Sequence, residues 1–333
     1  MPKARTLYFT SPKQIEIRET TLPNLKDHEV LIETICSAIS AGTEMLVYRG
    51  QFPHLNDSHD AVSSDLNYPL AYGYACVGRV KEIGKQADKS LRDSLVFAFQ
   101  PHISLFIADP STLIPIPASL SPQAACFLPN METAVNLVQD GAPILGERVL
   151  VLGQGIIGLL TASLLNEFPL ESLITVDQFE LRRKALHIAG EKPNVQSLSP
   201  DGLRHSTWGE KKADLTFELS GSPAALNNAI EFTTFSGRIV IGSWYGQKHA
   251  PIDLGGSFHR SRIKLISSQV STISPELSSR WDKSRRFEVT WKALERIQPE
   301  KWITQHFSLN EAEKAYALLD EHPQETIQVI FNY

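Results

Sequence analysis

The sequence predicts an α/β protein of two domains, a β-rich first domain and a doubly wound parallel sheet in mid-chain. Three observations carry this. At 333 residues the chain exceeds the usual reach of one hydrophobic core. The apolar run Val149 to Leu152 leads straight into a cluster of glycines, then a helical pattern, a second apolar strand and an acid. Short alternating segments cut by turns precede that stretch, whereas strand and helix patterns alternate after it, as in a parallel sheet covered on both faces.

In chain order, Gln14 to Arg18, Val30 to Ile35, Cys76 to Ile83 and Leu95 to Phe99 read as strands separated by Pro23, Asp27 and Gly73. Leu113 to Pro117 is held extended by its prolines. Many short strands with few helices predict a barrel-like or distorted sheet. The polar, aperiodic stretch from Phe52 to Asn67 reads as a surface loop or a lid. Ser121 to Asp140 has helical spacing, with Ser121 as N-cap and Pro122 in the first position. After the glycines come an amphipathic segment, Glu180 to Ala189, and a buried strand, Ala213 to Leu219. A helix opened by Ser222-Pro223 and strands at Arg238 to Gly242 and Ile263 to Ser267 follow. Helical patterns at Trp281 to Ile297 and Asn310 to Leu319 and a strand at Thr326 to Phe331 close the chain. The tail is expected to return to the first domain, giving domains of 1–123 with 272–333 and of 124–271, with a cofactor cleft between the lobes.

Gly153, Gly155 and Gly158 form G-x-G-x-x-G between a strand and a helix. Gly153 permits the tight turn, Gly155 lets main chain approach a pyrophosphate, and Gly158 lets the helix pack closely on its strand. The helix N-terminus, with Ile156 and Ile157 between the glycines, supplies N–H groups for the anion. Leu173 to Val176 then delivers Asp177, about twenty residues beyond the glycines, where a carboxylate can accept both ribose hydroxyls and repel a 2′-phosphate. The expected cofactor is NAD(H) rather than NADP(H). Arg182 and Arg183 read as the solvated face of the next helix, yet are near enough to meet a 2′-phosphate. Because ligands gather at the carboxyl ends of parallel strands, Ser220-Gly221 and Gly242-Ser243 should touch ribose or nicotinamide. Trp244 and Tyr245 should border the substrate, or else pack in the core.

Composition excludes several classes. Hydrophobic content of 42% and charged content of 21% are those of an ordinary soluble globular protein, and a net charge of -5 leaves no nucleic-acid footprint. Cys36, Cys76 and Cys126 are odd in number and lack CxxC spacing, which argues for a reducing, cytoplasmic setting. The first residues contain no apolar run fit for a signal peptide, and the apolar stretch Val149 to Leu165 is strand plus helix rather than a membrane span.

On Ile39 to Glu44 (ISAGTE), Gly73 with Val77 to Val80, Asp93 to Phe97, the glycine stretch and Ile239 to Gly242, the chain resembles the medium-chain dehydrogenases/reductases, the alcohol dehydrogenase superfamily, over nearly its whole length. Its flavour is that of zinc-free members similar to bacteriochlorophyllide dehydrogenase. The resemblance implies a GroES-like catalytic domain, a Rossmann domain and a homodimer joined at the sheet edge near Ile263 to Val270. Zinc members place a cysteine before the G-[ST]-[DE] triplet, a His-Glu pair in GHE, and a further cysteine or acid. Here Ser40 precedes the triplet with Ala41 inserted, GHE has become Gly73-Tyr74-Ala75, and the third place falls near Ala125 or Cys126. A hydroxyl, a phenol and a methyl cannot replace those ligands, so no metal is expected.

Without zinc, side chains must polarise the carbonyl and move the proton. The resemblance places Tyr74 where a ligand would be, Thr43 in a relay position and Glu44 as the acid holding its loop through main-chain N–H groups. His102, which follows the strand lining the family's substrate pocket, can pass protons or simply be hydrogen-bonded. Glu132, on an otherwise apolar helix face, is either buried with a partner or functional. Ser40, Phe99, Asn130, Trp244 and Tyr245 complete the expected substrate pocket. His259-Arg260, Arg262, Arg280, Arg285 and Arg286 form a basic set, read as solvated helix faces or as a grip on an acidic substrate. The expected activity is hydride transfer between nicotinamide and a secondary alcohol or its ketone, on a bulky or cyclic substrate. Two alternatives stand beside it, a quinone or enoyl reductase and a non-catalytic NAD(H)-binding protein.

Overall fold

The computed structural model describes residues 1–52, 66–186, 193–206 and 211–333, and the chain divides into two units, Met1–Pro129 with Gln298–Tyr333 and Asn130–Ile297. In the first unit β1 (Lys3–Ser11), β2 (Gln14–Thr21), β3 (Val30–Ala38), β4 (Leu70–Ala71), β5 (Cys76–Ile83), β6 (Leu95–Ala98), β7 (Leu105–Ala108) and β8 (Ile114–Pro115) are short and antiparallel. Helix α1 (Glu44–Tyr48) follows β3, and α2 (Pro122–Ala125) ends this part of the unit. Val30, Ile32, Cys76, Val80 and Val96, alternate residues on neighbouring strands, form its core. β1 was not among the expected strands, because its buried positions Ala4, Thr6, Leu7 and Phe9 break strict alternation.

The expected helix from Ser121 to Asp140 is two helices. Ser121 caps α2 by accepting from Ala124 N at 3.1 Å, and the chain turns at Cys126 before α3 (Leu128–Gly141), whose first turn tolerates Pro129.

The second unit continues with β9 (Arg148–Leu152), α4 (Ile156–Leu165), β10 (Ser172–Val176), α5 (Glu180–Ala185), β11 (Val195–Leu198), α6 (Pro200–His205), β12 (Ala213–Glu218), α7 (Ala225–Phe232), β13 (Thr233–Ile241), β14 (Lys264–Ser267) and α8 (Lys283–Ile297). The sheet is wholly parallel in the order β11-β10-β9-β12-β13-β14, the doubly wound arrangement that the glycine motif implies. Val149 to Leu152 are buried on both faces, as a central parallel strand must be. Helix α8 groups with this unit, where the sequence had put 272–333 with the first. Its Arg286 is fully buried against α3, so this arginine is not part of a solvated helix face.

Beyond α8 the chain returns to the first unit as β15 (Ile303–Ser308), α9 (Ala312–Glu321) and β16 (Gln328–Asn332). β16 pairs with β3 and completes the sheet β15-β16-β3-β5-β6-β8, on which β7 also pairs β3. The proposed lid lies outside the described residues from 53 to 65, as does the end of the Glu180 to Ala189 segment from 187 onward. Among the described residues, no helix is long and apolar enough to cross a membrane.

Candidate active site

In the second unit Gly153 and Gly158 take the backbone geometry that their spacing predicts. Gly153 has φ +95°, and a Cβ there would lie 2.5 Å from Leu219 O; at Gly158 a Cβ would lie 1.9 Å from Gly153 O. Only glycine allows the strand end, the turn and the helix to approach so closely. A Cβ at Gly155 would meet nothing within 4 Å, so the N-terminus of α4, with Ile156 and Ile157, opens onto free space. This cradle fits a dinucleotide pyrophosphate.

Asp177 is 8% exposed just past β10, and its carboxylate accepts from Gln154 N at 2.7 Å and Phe179 N at 2.8 Å. The acid therefore braces the glycine turn. Arg182 lies over the Phe179 ring, 4.9 Å from its centroid; burial lowers its pKa, and the attraction of Asp177 opposes that shift. Arg183 turns back to the carbonyls of Asp177 and Gln178.

At the ends of β12 and β13, Gly221 N donates to Ser243 Oγ at 2.9 Å. A Cβ at Gly242 would lie 2.6 Å from Leu137 Cδ2 and from Leu219 Cδ2, so this glycine serves close packing. Sequence reasoning missed Glu218. This fully buried carboxylate accepts from Ser220 N at 2.9 Å, from the Ser220 hydroxyl and from Tyr245 Oη at 2.5 Å, so it ties the two strand ends together. Burial, then the Glu218 charge, holds the Tyr245 phenol protonated, far above its ordinary value. Trp244 beside it is half-buried. The signal for Glu218 was an acid ending the apolar strand ADLTFEL.

In the first unit Tyr74, Thr43, Glu44, His102 and Ser40 come together. The Tyr74 hydroxyl donates to Ser40 Oγ and lies 3.3 Å from Thr43 Oγ1. Burial pushes the Tyr74 phenol above its ordinary value, against the hydrogen bonds to Ser40 and Thr43, which lower it. The residue as a whole is half-buried, and the raised pKa keeps the phenol in its protonated, donating form.

Behind this cluster stands a closed polar core. Glu44 is fully buried and accepts from Ser40 N at 2.8 Å, His102 Nε2 at 2.9 Å and Tyr316 Oη at 2.5 Å. Because a carboxylate only accepts, the Nε2 proton belongs to His102. The other ring nitrogen pairs with Ser37 Oγ at 2.7 Å, which in turn lies 2.9 Å from Tyr333 Oη. Gly73, at φ +126°, lets the Tyr74 loop cross the imidazole, since a Cβ there would stand 3.0 Å from His102 Cδ2. Of the two roles open to His102, the geometry favours the hydrogen-bonded one, because the ring is 1% exposed with both nitrogens engaged. Ser37, Tyr316 and Tyr333 were not anticipated; Tyr316 reaches Glu44 from 272 residues away.

Phe99 is 47% exposed and edge-on to Phe97 at 5.1 Å. Asn130 and Glu132 belong to the second unit, and Glu132 is buried with partners, accepting from Lys283 Nζ at 2.6 Å and Arg286 Nε at 2.9 Å.

The donors at the zinc positions fit that ion poorly. They are the Ser40 hydroxyl, the protonated Tyr74 phenol and Cys126, whose thiol burial holds protonated and whose sulfur lies 3.3 Å from that of Cys36.

No protein-family model matches the chain. It is 22% identical to sorbitol dehydrogenase 2 of Saccharomyces cerevisiae, covering 95% of this chain and 94% of that one. With D-guloside 3-dehydrogenase of Escherichia coli it shares 23% identity over 98% of this chain and 99% of the relative. Among solved structures, L-idonate 5-dehydrogenase of Escherichia coli superposes with a TM-score of 0.79 at 17% identity, covering 100% and 99% of the two chains. An alcohol dehydrogenase of Escherichia coli in complex with NADH gives 0.75 at 18%, covering 99% of each. The fold is thus that of these two-domain alcohol dehydrogenases.

Proposed function

We propose, from the premise that the chain is a medium-chain dehydrogenase/reductase of the alcohol dehydrogenase-like type, that it is a metal-independent, NAD(H)-dependent oxidoreductase. Its substrate is a secondary alcohol or its ketone, of the polyol or cyclic kind. The observation that carries the reading is the Tyr74 phenol, held protonated and aimed by two neighbouring hydroxyls. Nicotinamide supplies the hydride. Gly153, Gly155, Ile156, Ile157 and Gly158 take the pyrophosphate, Asp177 and Arg182 the adenosine ribose, and Ser220, Gly221, Gly242 and Ser243 the other ribose. Trp244, Tyr245, Phe99 and Asn130 border the substrate. In ketone reduction Tyr74 donates its proton to the developing alkoxide, and the phenolate is reprotonated from solvent water by relay through Ser40 and Thr43. Glu44 and His102 keep the loop that carries those hydroxyls in place.

The names of the relatives, which act on sorbitol, a guloside and idonate, support a hydroxylated substrate. The outer edge of β14, which has no further strand beside it among the described residues, supports a homodimer through that edge. Three free cysteines support a cytoplasmic setting.

The test is steady-state turnover on a panel of polyols, sugar acids and cyclic ketones with NAD(H) and NADP(H). Turnover of an alcohol or ketone with NAD(H) preferred is expected. Preference for NADPH on quinones or enones would replace this reading with that of a quinone or enoyl reductase. NADH binding without turnover, together with indifference to Tyr74→Phe, would replace it with a non-catalytic binding protein.

A further inference from the structure

We propose that Arg286 and Glu132 are positioning residues for the nicotinamide end of the cofactor, acting through the main chain of residues 268–272. The inference rests on the nicotinamide-nucleotide reading above and extends it. In the sheet order β11-β10-β9-β12-β13-β14 the direction of winding reverses between β9 and β12. The glycine turn and Asp177 mark the β9 and β10 side for adenosine, so a dinucleotide crossing the carboxyl ends lays its other half over β12, β13 and β14.

Those ends are stitched one to the next. Gly153 backs onto Leu219 and Ser220, Gly221 N donates to Ser243 Oγ at 2.9 Å, and Ser268 N donates to Ile241 O at 3.0 Å. The outermost piece, 268–272, follows β14, the last strand that this chain contributes to the sheet, so within the chain no strand ladder holds its far side among the described residues.

Arg286 holds it instead. Its Nη2 donates to Val270 O and its Nη1 to Thr272 O at 3.2 Å, while Nε binds Glu132 Oε1 at 2.9 Å and Nη1 binds Asn136 Oδ1 at 2.6 Å. Lys283 Nζ adds bonds to Glu132 Oε1 at 2.6 Å and Val270 O at 3.1 Å. Ser268 is tied to the same helix, its hydroxyl donating to Asp140 Oδ2 at 2.7 Å and accepting from Asn136 Nδ2 at 2.9 Å. Glu132, Asn136 and Asp140 stand four residues apart, on one face of α3. Simple packing of α8 on α3 would be served as well by apolar residues, since a buried ion pair adds little net stability. What the guanidinium adds is a fixed place for two backbone carbonyls, those of Val270 and Thr272, while Gln269 and Ser271 on either side of Val270 are bonded to each other.

The experiment uses the full chain and two probes, NADH and ADP-ribose, which lacks the nicotinamide. Arg286→Lys and Glu132→Gln are compared with wild type by titration calorimetry. The expected result is that NADH affinity falls by about tenfold or more while ADP-ribose affinity stays within about twofold, because only the nicotinamide end meets the displaced segment. Parallel loss of both ligands, which a merely structural role would cause, overturns the proposal, and so does unchanged affinity for both. If Arg286→Lys fails to fold, Glu132→Gln, which keeps an oxygen acceptor for Lys283, reads the same ratio. Wild type that binds neither probe removes the nucleotide reading itself, and this inference with it.

Discussion

Replacing Tyr74 by phenylalanine removes one oxygen and tests the reaction chemistry. The phenol donates to Ser40 Oγ and lies 3.3 Å from Thr43 Oγ1, so the substitution removes these two contacts and keeps the ring. The stability cost is therefore that of about one net hydrogen bond, about 1 kcal/mol. The catalytic cost is larger. A positioned proton donor contributes about 10²–10⁴-fold, which at about 1.4 kcal/mol per decade is about 3–5 kcal/mol on the barrier. Ketone reduction followed at 340 nm, alongside NADH titration and thermal unfolding, separates the two. We expect kcat to fall by at least about a hundredfold with NADH affinity unchanged. The pH profile adds a second arm. Because burial raises the Tyr74 pKa, the proton-donating form persists above the ordinary phenol value of 10.0. Ketone reduction in wild type should thus stay flat past that pH, while alcohol oxidation, which uses the phenolate as base, should keep rising through the alkaline range. A Tyr74→Phe enzyme with kcat within about threefold of wild type would refute the reasoning.

Three further outcomes follow from the second unit. Asp177→Asn removes the charge that would repel a 2′-phosphate, so the ratio of NADPH to NADH dissociation constants should narrow by about tenfold; an unchanged ratio would deny Asp177 its role. Gly158→Ala puts a Cβ 1.9 Å from Gly153 O and should lower stability by about 1–3 kcal/mol in chemical denaturation, with loss of NADH binding; a wild-type midpoint would contradict the close approach. Burial raises the Asp140 carboxyl pKa, against the Ser268 and Asn136 hydrogen bonds that lower it, so its stabilising contribution is full below the ordinary value of 3.8 and lost as pH rises through the folded value. Asp140→Asn should therefore raise Tm at neutral pH and confer no advantage below pH 3.8, and an equal gain at both pH values would rule out the ionisation as cause.

What could be read from the sequence followed from locality. The glycine turn, its strand and Asp177 lie within thirty residues of one another, and the geometry of the turn is set by backbone freedom, so the strand, the turn at Gly153 and the close packing at Gly158 are where they were expected. Of the first unit's strands, β2, β3, β5, β6 and β16 were legible, whereas β1, where Thr6 and Leu7 are buried side by side, and β4, β7 and β15 were not. Around Tyr74 the residue types were visible but not their company. Glu44 draws its donors from positions 40, 102 and 316, and no spacing along the chain reports contacts made by returning strands and helices. Arg286 misled for the same reason, since an arginine on a helix is usually solvated and the partners that bury it, Glu132, Asn136 and the 270 and 272 carbonyls, are distant in sequence.

The central claim is that this alcohol dehydrogenase-like chain moves hydride without a metal, using Tyr74 in its place. It is tested most directly by measuring the metal content of protein purified without chelator, and turnover of the same sample before and after exhaustive chelation. The account predicts less than about 0.1 zinc per chain and unchanged kcat. Near-stoichiometric zinc, with activity lost on its removal and restored on its return, would contradict it.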